Sequence, residues 1–240
     1  MANSYFQFKQ FTIHQDKSAM KVCTDACILG AWSAEKIREI NGQPQNILDI
    51  GTGTGLLSLM LAQKTKSVIH AIELDENAAA QAKENFEMSR WKERLFLYHT
   101  SIQQFPAGLK YDWIISNPPF FEDDLQSQDP AKNSAKHHTT LTLVELLKAI
   151  SIHLDEAGFA SLLIPWHRTA YFELLTQSEG LFVKAMLEVR QSPKHGFFRT
   201  LVILSKKEVT AEVKELTIHD ENRNYTPAFT KLLKDYYLRL

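Results

Sequence analysis

The chain has 240 residues, 44% of them hydrophobic and 23% charged, which excludes a disordered or fibrous chain and predicts a single catalytic-sized domain. The formal net charge of -1 excludes overall basicity as a sign of nucleic-acid binding, so any RNA contact must come from local patches. A signal pattern and an apolar run of roughly 20 residues are both absent, which predicts a cytoplasmic protein without membrane contact. Cys23 and Cys27 lack a second Cys or His pair at zinc spacing, so we expect free thiols and no metal site.

Short apolar runs alternate with longer amphipathic segments from Asn46 onward. This alternation predicts strands of a mainly parallel sheet with helices between them. A helix over 20–32 precedes the sheet, and Gly158 is expected to end the last long helix before the next strand. Strands are predicted at 47–50, 68–73, 95–98, 111–116 and 159–164, and helices at 56–63, 77–88, 143–154 and near 168–177. Thr142, with Glu145 three residues later, predicts a capping box at the start of the helix over 143–154.

Two β-rich runs, 182–189 and 200–204, flank a Ser-Pro-Lys-His-Gly turn and predict an antiparallel hairpin at the sheet edge. The polar segment between Phe120 and Leu141 shows no periodicity, and we interpret it as a substrate-facing loop. The predicted fold is therefore doubly wound, Rossmann-like α/β, with a mainly parallel seven-stranded sheet and an antiparallel C-terminal hairpin.

A glycine-rich loop follows the first strand of this sheet: Gly51-Thr52-Gly53-Thr54-Gly55. Its glycines permit a tight turn and a close ligand approach. A dinucleotide would prefer G-x-G-x-x-G, with the pyrophosphate at the helix N-terminus. Asp49 would repel a pyrophosphate but suits the cationic aminoacyl end of S-adenosylmethionine, so we predict that Asp49, Gly51, Gly53 and Gly55 bind this cofactor.

Residues after the second and third strands extend the predicted cofactor site. Glu73 ends the second strand, where its carboxylate can accept hydrogen bonds from two ribose hydroxyls, and Leu74 follows it. Asp75 is the weaker candidate, and its alternative role is to cap the next helix. Ser101 and Ile102 stand where this fold often offers an Asp to the adenine amine, a contact that Ser101 could make more weakly.

The predicted catalytic residues, Asn117, Pro118, Pro119 and Phe120, follow the fourth strand at the sheet edge where α/β folds bind ligands, and Asn117 is also predicted to contact the cofactor. If the Asn117 side-chain oxygen and the Pro118 carbonyl accept both N–H bonds of a conjugated amine, its lone pair becomes available and the developing charge is stabilised. Phe120 would stack on a base. The alternative is a turn in which Asn117 caps a helix and Phe120 is core, but this motif together with the glycine loop favours methylation of a planar nitrogen.

The sequence resembles the class I methyltransferases with an Asn-Pro-Pro-aromatic motif, and more narrowly the bacterial tRNA1(Val) (adenine-37 N6)-methyltransferase family. The resemblance implies a class I methyltransferase fold over 1–240, with 1–45 as an N-terminal helical or extended segment over the cofactor end. It also implies a monomer that methylates the adenine next to the anticodon of a valine tRNA. Cys23 stands where glycine is expected. Besides the two motifs, the matching residues are Phe8-Lys9-Gln10-Phe11, Met20-Lys21-Val22, Thr24-Asp25, Leu29-Gly30-Ala31-Trp32, Ala135-Lys136-His137, Tyr225-Thr226 and Asp235-Tyr236-Tyr237-Leu238.

Further residues are candidates for the tRNA and cofactor surfaces. Gln10, Thr24 and Asp25 could close the cofactor or base pocket, although Thr24 could equally cap a helix. Other planar nitrogens remain open as substrates: glutamine side chains, guanine N2 and DNA adenine, although Phe120 favours a base because the glutamine enzymes more often carry tyrosine there. A non-catalytic RNA chaperone with a cofactor pocket is the alternative from another class. Candidate phosphate contacts, each also readable as a solvated charge, are Lys9, Lys17, Lys21, Lys132, Lys136, Lys194 and Arg199.

Overall fold

The computed structural model describes residues 3–40, 43–118 and 141–240. The strands are β1 (Tyr5–Gln7), β2 (Thr12–His14), β3 (Asn46–Ile50), β4 (Val68–Glu73), β5 (Leu95–His99), β6 (Tyr111–Ser116), β7 (Leu154–Pro165), β8 (Phe182–Arg190), β9 (Phe197–Ser205) and β10 (Glu212–Thr217). The helices are α1 (Thr24–Glu39), α2 (Leu56–Lys64), α3 (Glu76–Glu87), α4 (Leu143–His153), α5 (Thr169–Ser178) and α6 (Pro227–Leu233).

Eight strands form the main sheet of the described part, in the order β10-β8-β9-β7-β6-β3-β4-β5. Only β9 runs antiparallel to its neighbours, β7 and β8. The chain passes from β3 through β4 to β5 on one side and then returns to β6 and β7 on the other. The strand order therefore reverses between β3 and β6, and ligands of open α/β sheets bind at the carboxyl ends of such strands.

The predicted hairpin is confirmed, but its predicted place and the predicted strand number are wrong. β8 and β9 pair antiparallel, yet β10 pairs parallel with β8 and forms the edge, so the sheet has eight strands. β10 escaped the sequence prediction because four of its six residues are exposed and only Leu216 is buried. An outer strand of this kind has no clear alternation of apolar and polar residues.

Local sequence signals set most helix bounds. The predicted helix after residue 142 is α4, and Thr142 with Glu145 forms the expected capping box. The helix expected over 20–32 begins at Thr24 instead, because Cys23 has extended backbone angles, and it continues to Glu39. Gly158 does not end a helix: it lies within β7, where an added Cβ would come within 2.9 Å of the Tyr111 carbonyl oxygen.

Both faces of the sheet are buried. On one face Trp113 packs in the apolar cluster that α1, α2 and α6 cover, and on the other Ile114 packs in the cluster that α4 and α5 cover. Successive residues of a strand point to opposite faces, so a strand buried on both sides reads as a continuous apolar run. None of the helices within the described ranges has the length and apolar character needed to cross a membrane.

Candidate functional site

The glycine loop takes its shape from three left-handed residues. Gly51, Gly53 and Gly55 have φ angles of 71°, 58° and 84°, which side chains other than glycine rarely adopt. A Cβ on Gly55 would lie 2.5 Å from the Phe86 ring, whereas one on Gly51 or Gly53 would meet nothing within 4 Å. Gly55 thus permits packing against α3, while Gly51 and Gly53 leave open space beside the backbone.

Glu73 joins the glycine loop to the end of β4. Its Oε2 accepts the Gly53 N–H at 2.8 Å, and its Oε1 accepts the N–H groups of Leu74 and Asp75 at 2.8 and 2.9 Å. A carboxylate offers about four lone-pair positions, so these three bonds leave about one for a ligand. Asp75 caps α3 by accepting the Ala78 N–H at 2.8 Å, which is the alternative role that the sequence offered for it.

Asp49 lies beneath the loop, with none of its surface exposed. Its Oδ2 accepts hydrogen bonds from the Thr52 hydroxyl at 2.6 Å, the Ser58 hydroxyl at 2.7 Å and the Ser58 N–H at 3.1 Å. Its Oδ1 is buried and has no hydrogen-bond partner in the described part of the chain. Burial raises the pKa of Asp49 to about 6, and the negative charge of Glu73 acts in the same direction. Asp49 therefore positions the loop from below.

Of the other predicted cofactor residues, three lie at the same sheet edge, and Thr24 lies at the start of α1. Leu74 is 53% exposed, an apolar surface directly after Glu73. Ser101 and Ile102 follow β5, and the Thr100 N–H donates to the Glu73 carbonyl at 3.0 Å, which ties the two strand ends together. Ile102 is buried and Ser101 half-buried. Thr24, at the start of α1, is exposed and its side chain hydrogen-bonds Tyr237.

Asn117 leaves the sheet beside the glycine loop. Asp49 of β3 pairs with Ile115 of β6, so the register brings Asn117 level with Gly51, at a strand spacing of about 5 Å. The Ser116 hydroxyl donates to the Ile50 carbonyl at 2.8 Å and fixes this alignment. Pro118 is buried, whereas the half-buried Asn117 amide makes no hydrogen bond to any described residue. The predicted residues Pro119 and Phe120 lie outside the described residues.

Asn85 on α3 is a part of the site that the sequence did not predict. Its amide Nδ2 donates to the Thr54 carbonyl at 2.8 Å and to the His14 carbonyl at 2.9 Å, while Oδ1 accepts the His14 N–H at 2.9 Å. Asn85 is 1% exposed and therefore joins β2, α3 and the glycine loop inside the protein. A polar residue in a helical pattern gives no sign of such distant partners, so only the structure identifies it.

The predicted phosphate contacts within the described residues divide into those that have a partner inside the protein and one that has no ion-pair partner. Lys132, Lys136 and the rest of the predicted substrate-facing loop lie outside the described residues. Lys194 is exposed and forms no ion pair within the described residues. Four others make contacts inside the protein: Lys9 with the Lys234 carbonyl, Lys17 with Glu84, Lys21 with the Gln15 and Ser18 carbonyls, and Arg199 with Asp25 at 3.0 Å.

The cysteines and acidic residues do not assemble a metal site within the described ranges. Cys23 and Cys27 are free thiols, the first half-buried and the second fully buried. Burial raises the pKa of each to about 12, so both are protonated at neutral pH. Neither thiol is therefore activated as a nucleophile.

Known proteins resemble this chain in sequence and in fold. Residues 34–141 match the model of the methyltransferase small domain. The fold resembles a predicted O-methyltransferase from Agrobacterium tumefaciens, with a TM-score of 0.64 at 18% identity over 88% of this chain and 96% of that one. It also resembles a putative RNA methyltransferase from Pyrococcus horikoshii, with a TM-score of 0.57 at 18% identity over 84% of this chain and 95% of that one. These likenesses agree with the predicted Rossmann-like class I methyltransferase fold.

Relatives of higher identity span the whole chain. A tRNA1(Val) (adenine(37)-N6)-methyltransferase from Christiangramia forsetii is 39% identical over all of both chains, and one from Trichodesmium erythraeum is 41% identical over all of both. A third, from Flavobacterium johnsoniae, is 39% identical over 98% of this chain and all of its own. The predicted resemblance is confirmed, and the chain belongs to the tRNA1(Val) (adenine(37)-N6)-methyltransferase family.

Proposed function

We propose that this protein transfers a methyl group from S-adenosylmethionine to N6 of adenine 37 in a valine tRNA. The observation that carries the proposal is the alignment of Asn117 with Gly51 at the switch point of the sheet, which puts an unused amide beside an open glycine loop. Full-length relatives named tRNA1(Val) (adenine(37)-N6)-methyltransferase support adenine 37 of this tRNA, rather than another planar nitrogen, as the target.

The residues at the glycine loop fit S-adenosylmethionine. The space beside Gly51 and Gly53 accommodates a ligand against the backbone, and the free lone-pair position of Glu73 suits a ribose hydroxyl. Leu74, 53% exposed, offers an apolar face to an adenine ring, and Ser101 and Ile102 stand at the next strand end. Asp49 contributes negative charge from beneath the loop, which favours a cationic ligand. When bound, S-adenosylmethionine supplies an electrophilic methyl group on a sulfonium.

Asn117 and Pro118 are proposed to act on the target amine. The N6 lone pair of adenine is delocalised into the ring, which makes this nitrogen a poor nucleophile. If the Asn117 side-chain oxygen and the Pro118 carbonyl each accept one N–H, the lone pair is drawn out of conjugation and the developing positive charge is stabilised. Methylation makes this nitrogen acidic, so the proton departs after transfer and no prior base is required. Pro119 and Phe120 complete the motif, with Phe120 as the stacking face for the base.

The substrate and the setting complete the proposal. An adenine in an anticodon loop is unpaired, so its extrusion into the site costs less than flipping a base from a duplex. We propose that residues 1–240 act as one domain and as a monomer in the cytoplasm, with 1–45 over the cofactor end. The bonds from Asn85 to His14 and to Thr54 support that position for the N-terminal segment, because they join it to the glycine loop.

Transfer of radiolabelled methyl from S-adenosylmethionine to bulk tRNA, followed by nucleoside analysis, tests the proposal. We expect label in N6-methyladenosine, and labelling that is about 100-fold slower or more when the Asn117→Ala variant replaces the unaltered protein at equal concentration. Label in guanosine or in protein glutamine instead would contradict the proposed substrate. Bound cofactor with no transfer to any RNA would instead favour the non-catalytic RNA chaperone.

A further inference from the structure

We infer that a surface beside the sheet edge that carries Asn117 and Gly51, here called the methyl-transfer edge, binds the nucleotides that flank the target adenine. We call this surface the aromatic-basic patch and define it by Trp166, Arg190, Lys194 and Phe197. The inference rests on the proposed function, and it names the part of the protein that would receive the anticodon loop.

The register of the sheet brings the patch close to Asn117. Ser116 of β6 pairs with Leu162 of β7, so Asn117 is level with Leu163. Pro165, the last residue of β7, lies two residues beyond Leu163, a rise of about 7 Å at the usual strand spacing, and Trp166 opens the turn that follows it. β9 joins at the same end, since its Arg199 pairs with Pro165. The patch therefore stands beyond the methyl-transfer edge, at a distance that neighbouring nucleotides can span.

Two aromatic rings of the patch suit base stacking. Trp166 is 41% exposed, and its ring centroid lies 6.0 Å from that of Phe197. The Trp166 indole N–H donates to Glu188 at 2.8 Å, which fixes the orientation of the ring without covering it. Much of the Trp166 ring surface is therefore not used in the core. The ring offers a face on which a base of any sequence can stack.

One basic group contacts the Phe197 ring, and a second lies in the turn of the hairpin that precedes it. The Arg190 guanidinium lies 5.2 Å from the Phe197 ring centroid and also pairs with Glu215 at 3.1 Å, which holds it in place. Its remaining N–H donors suit phosphate oxygens. Lys194 at the hairpin tip is exposed and has no ion-pair partner among the described residues. The nearby carboxylates Glu188 and Glu215 are both engaged, by Trp166 and Arg190 respectively.

The combination favours RNA over other partners. Surfaces that bind single-stranded nucleic acid usually combine aromatic rings, on which bases stack, with cations that contact the phosphates. The formal net charge of the chain is -1, so RNA attraction requires a local basic surface of this kind. An anticodon loop presents unpaired bases and closely spaced phosphates, and it is the substrate of the proposed reaction. We therefore assign the patch to that loop.

Two substitutions test the patch, each with a matched control remote from it. Trp166→Ala removes the exposed ring, and Phe96→Ala removes a 44% exposed ring on the opposite edge strand, β5. Lys194→Ala removes the hairpin cation, and Lys66→Ala removes an exposed lysine between α2 and β4. Binding of a labelled tRNA1(Val) transcript is measured by anisotropy over a series of salt concentrations, together with cofactor affinity and steady-state methyl transfer.

We expect Trp166→Ala to weaken tRNA binding about fivefold or more and to raise KM without lowering kcat, while cofactor affinity stays unchanged. Trp166→Phe keeps a ring and should restore most of the binding, which a purely structural role through the Glu188 hydrogen bond would not. Lys194→Ala should lower the slope of log affinity against log salt by roughly 0.7 to 0.9, as for one lost phosphate contact.

The inferred role of the patch would be overturned if Trp166→Ala and Phe96→Ala bound tRNA equally well and if Lys194→Ala and Lys66→Ala gave equal salt slopes. The proposed function would survive that result, since the unaltered protein would still methylate tRNA. Failure of the unaltered protein to bind or methylate the transcript would overturn the proposed function as well. The two failures are therefore distinguishable in one set of measurements.

Discussion

The two sides of the candidate site differ in how far the protein satisfies its own polar groups. On the cofactor side, Glu73 accepts three backbone N–H groups and Asn85 uses both ends of its amide. On the substrate side, the Asn117 amide has no partner among the described residues, and Trp166 is 41% exposed. We propose that these hydrogen bonds hold the proposed cofactor side in place before binding, while the proposed substrate side keeps its polar groups for the substrate.

Rigidity on the cofactor side has a chemical purpose. A methyl donor must meet the amine in line and at close range, so a loop fixed in advance avoids the cost of ordering it on binding. On the proposed substrate side, an unpaired acceptor can bind the amine directly. An acceptor already bonded within the protein would first have to break that bond. The following four changes test this division between the two sides.

Removing the Asn117 side chain should have the largest effect. Asn117→Ala is expected to lower kcat about 100-fold or more, because one preorganised acceptor for the transition state is lost. Cofactor affinity should change little, since no cofactor-side hydrogen bond involves this side chain. Single-turnover methyl transfer and calorimetry with S-adenosylhomocysteine measure the two quantities. Normal turnover would remove Asn117 from catalysis and erase the distinction between the sides.

Removing the Glu73 carboxylate should have the reverse pattern. Glu73→Ala is expected to weaken cofactor binding about tenfold or more, because it frees the Gly53 N–H and removes the proposed ribose acceptor. Turnover at saturating cofactor should fall less. Glu87→Ala, an exposed carboxylate at the end of α3, is the matched control. An unchanged dissociation constant in calorimetry would contradict the assignment of Glu73 to the cofactor.

The Asn85 junction should matter mainly for stability. Asn85→Ala leaves the His14 N–H and the Thr54 carbonyl without their partner, so the free energy of unfolding should fall by about 1 to 2 kcal/mol. Urea denaturation measures this, with the exposed Asn222→Ala as a control. Loss of cofactor affinity with unchanged stability would show that Asn85 acts on the ligand rather than on the loop.

Asp49 should give an effect on stability that depends on pH. Because its pKa is raised to about 6, the folded protein still holds this proton at pH values where the unfolded chain has released it. Stability is therefore lost as the pH rises from about 4 to 6 and levels off above that. Relative to Asp49→Asn, we expect a decline of about 2 kcal/mol over this range, measured by urea denaturation. Parallel pH profiles for the two proteins would contradict a raised pKa.

Signals that act over a few residues predicted much of this molecule. The capping box at Thr142 and the Asp75 cap fixed the starts of α4 and α3, and the apolar run before Gly51 fixed β3. The glycine loop and the Asn117 edge followed from motif spacing, since parallel strands end at one edge of a sheet.

Contacts between distant segments were beyond the sequence. The pairing of β10 with β8 and the bonds of Asn85 depend on residues that meet only in the folded chain. Gly158 looked like a helix end because glycine often is one, whereas its role is a close approach to the Tyr111 carbonyl. The three bonds to Glu73 were also hidden, and they reduce the capacity for ribose that the sequence suggested.

We propose that Asn117, at the carboxyl end of β6, and the glycine loop together methylate N6 of adenine 37. A pair of tRNA transcripts that differ only at position 37 tests this proposal. Methyl transfer is measured on tRNA1(Val) with adenine at position 37 and on the same transcript with guanine there, followed by nucleoside analysis. We expect one N6-methyladenosine per adenine-37 transcript and none on the guanine-37 transcript. Equal label on both transcripts, or label in a nucleoside other than N6-methyladenosine, would contradict it.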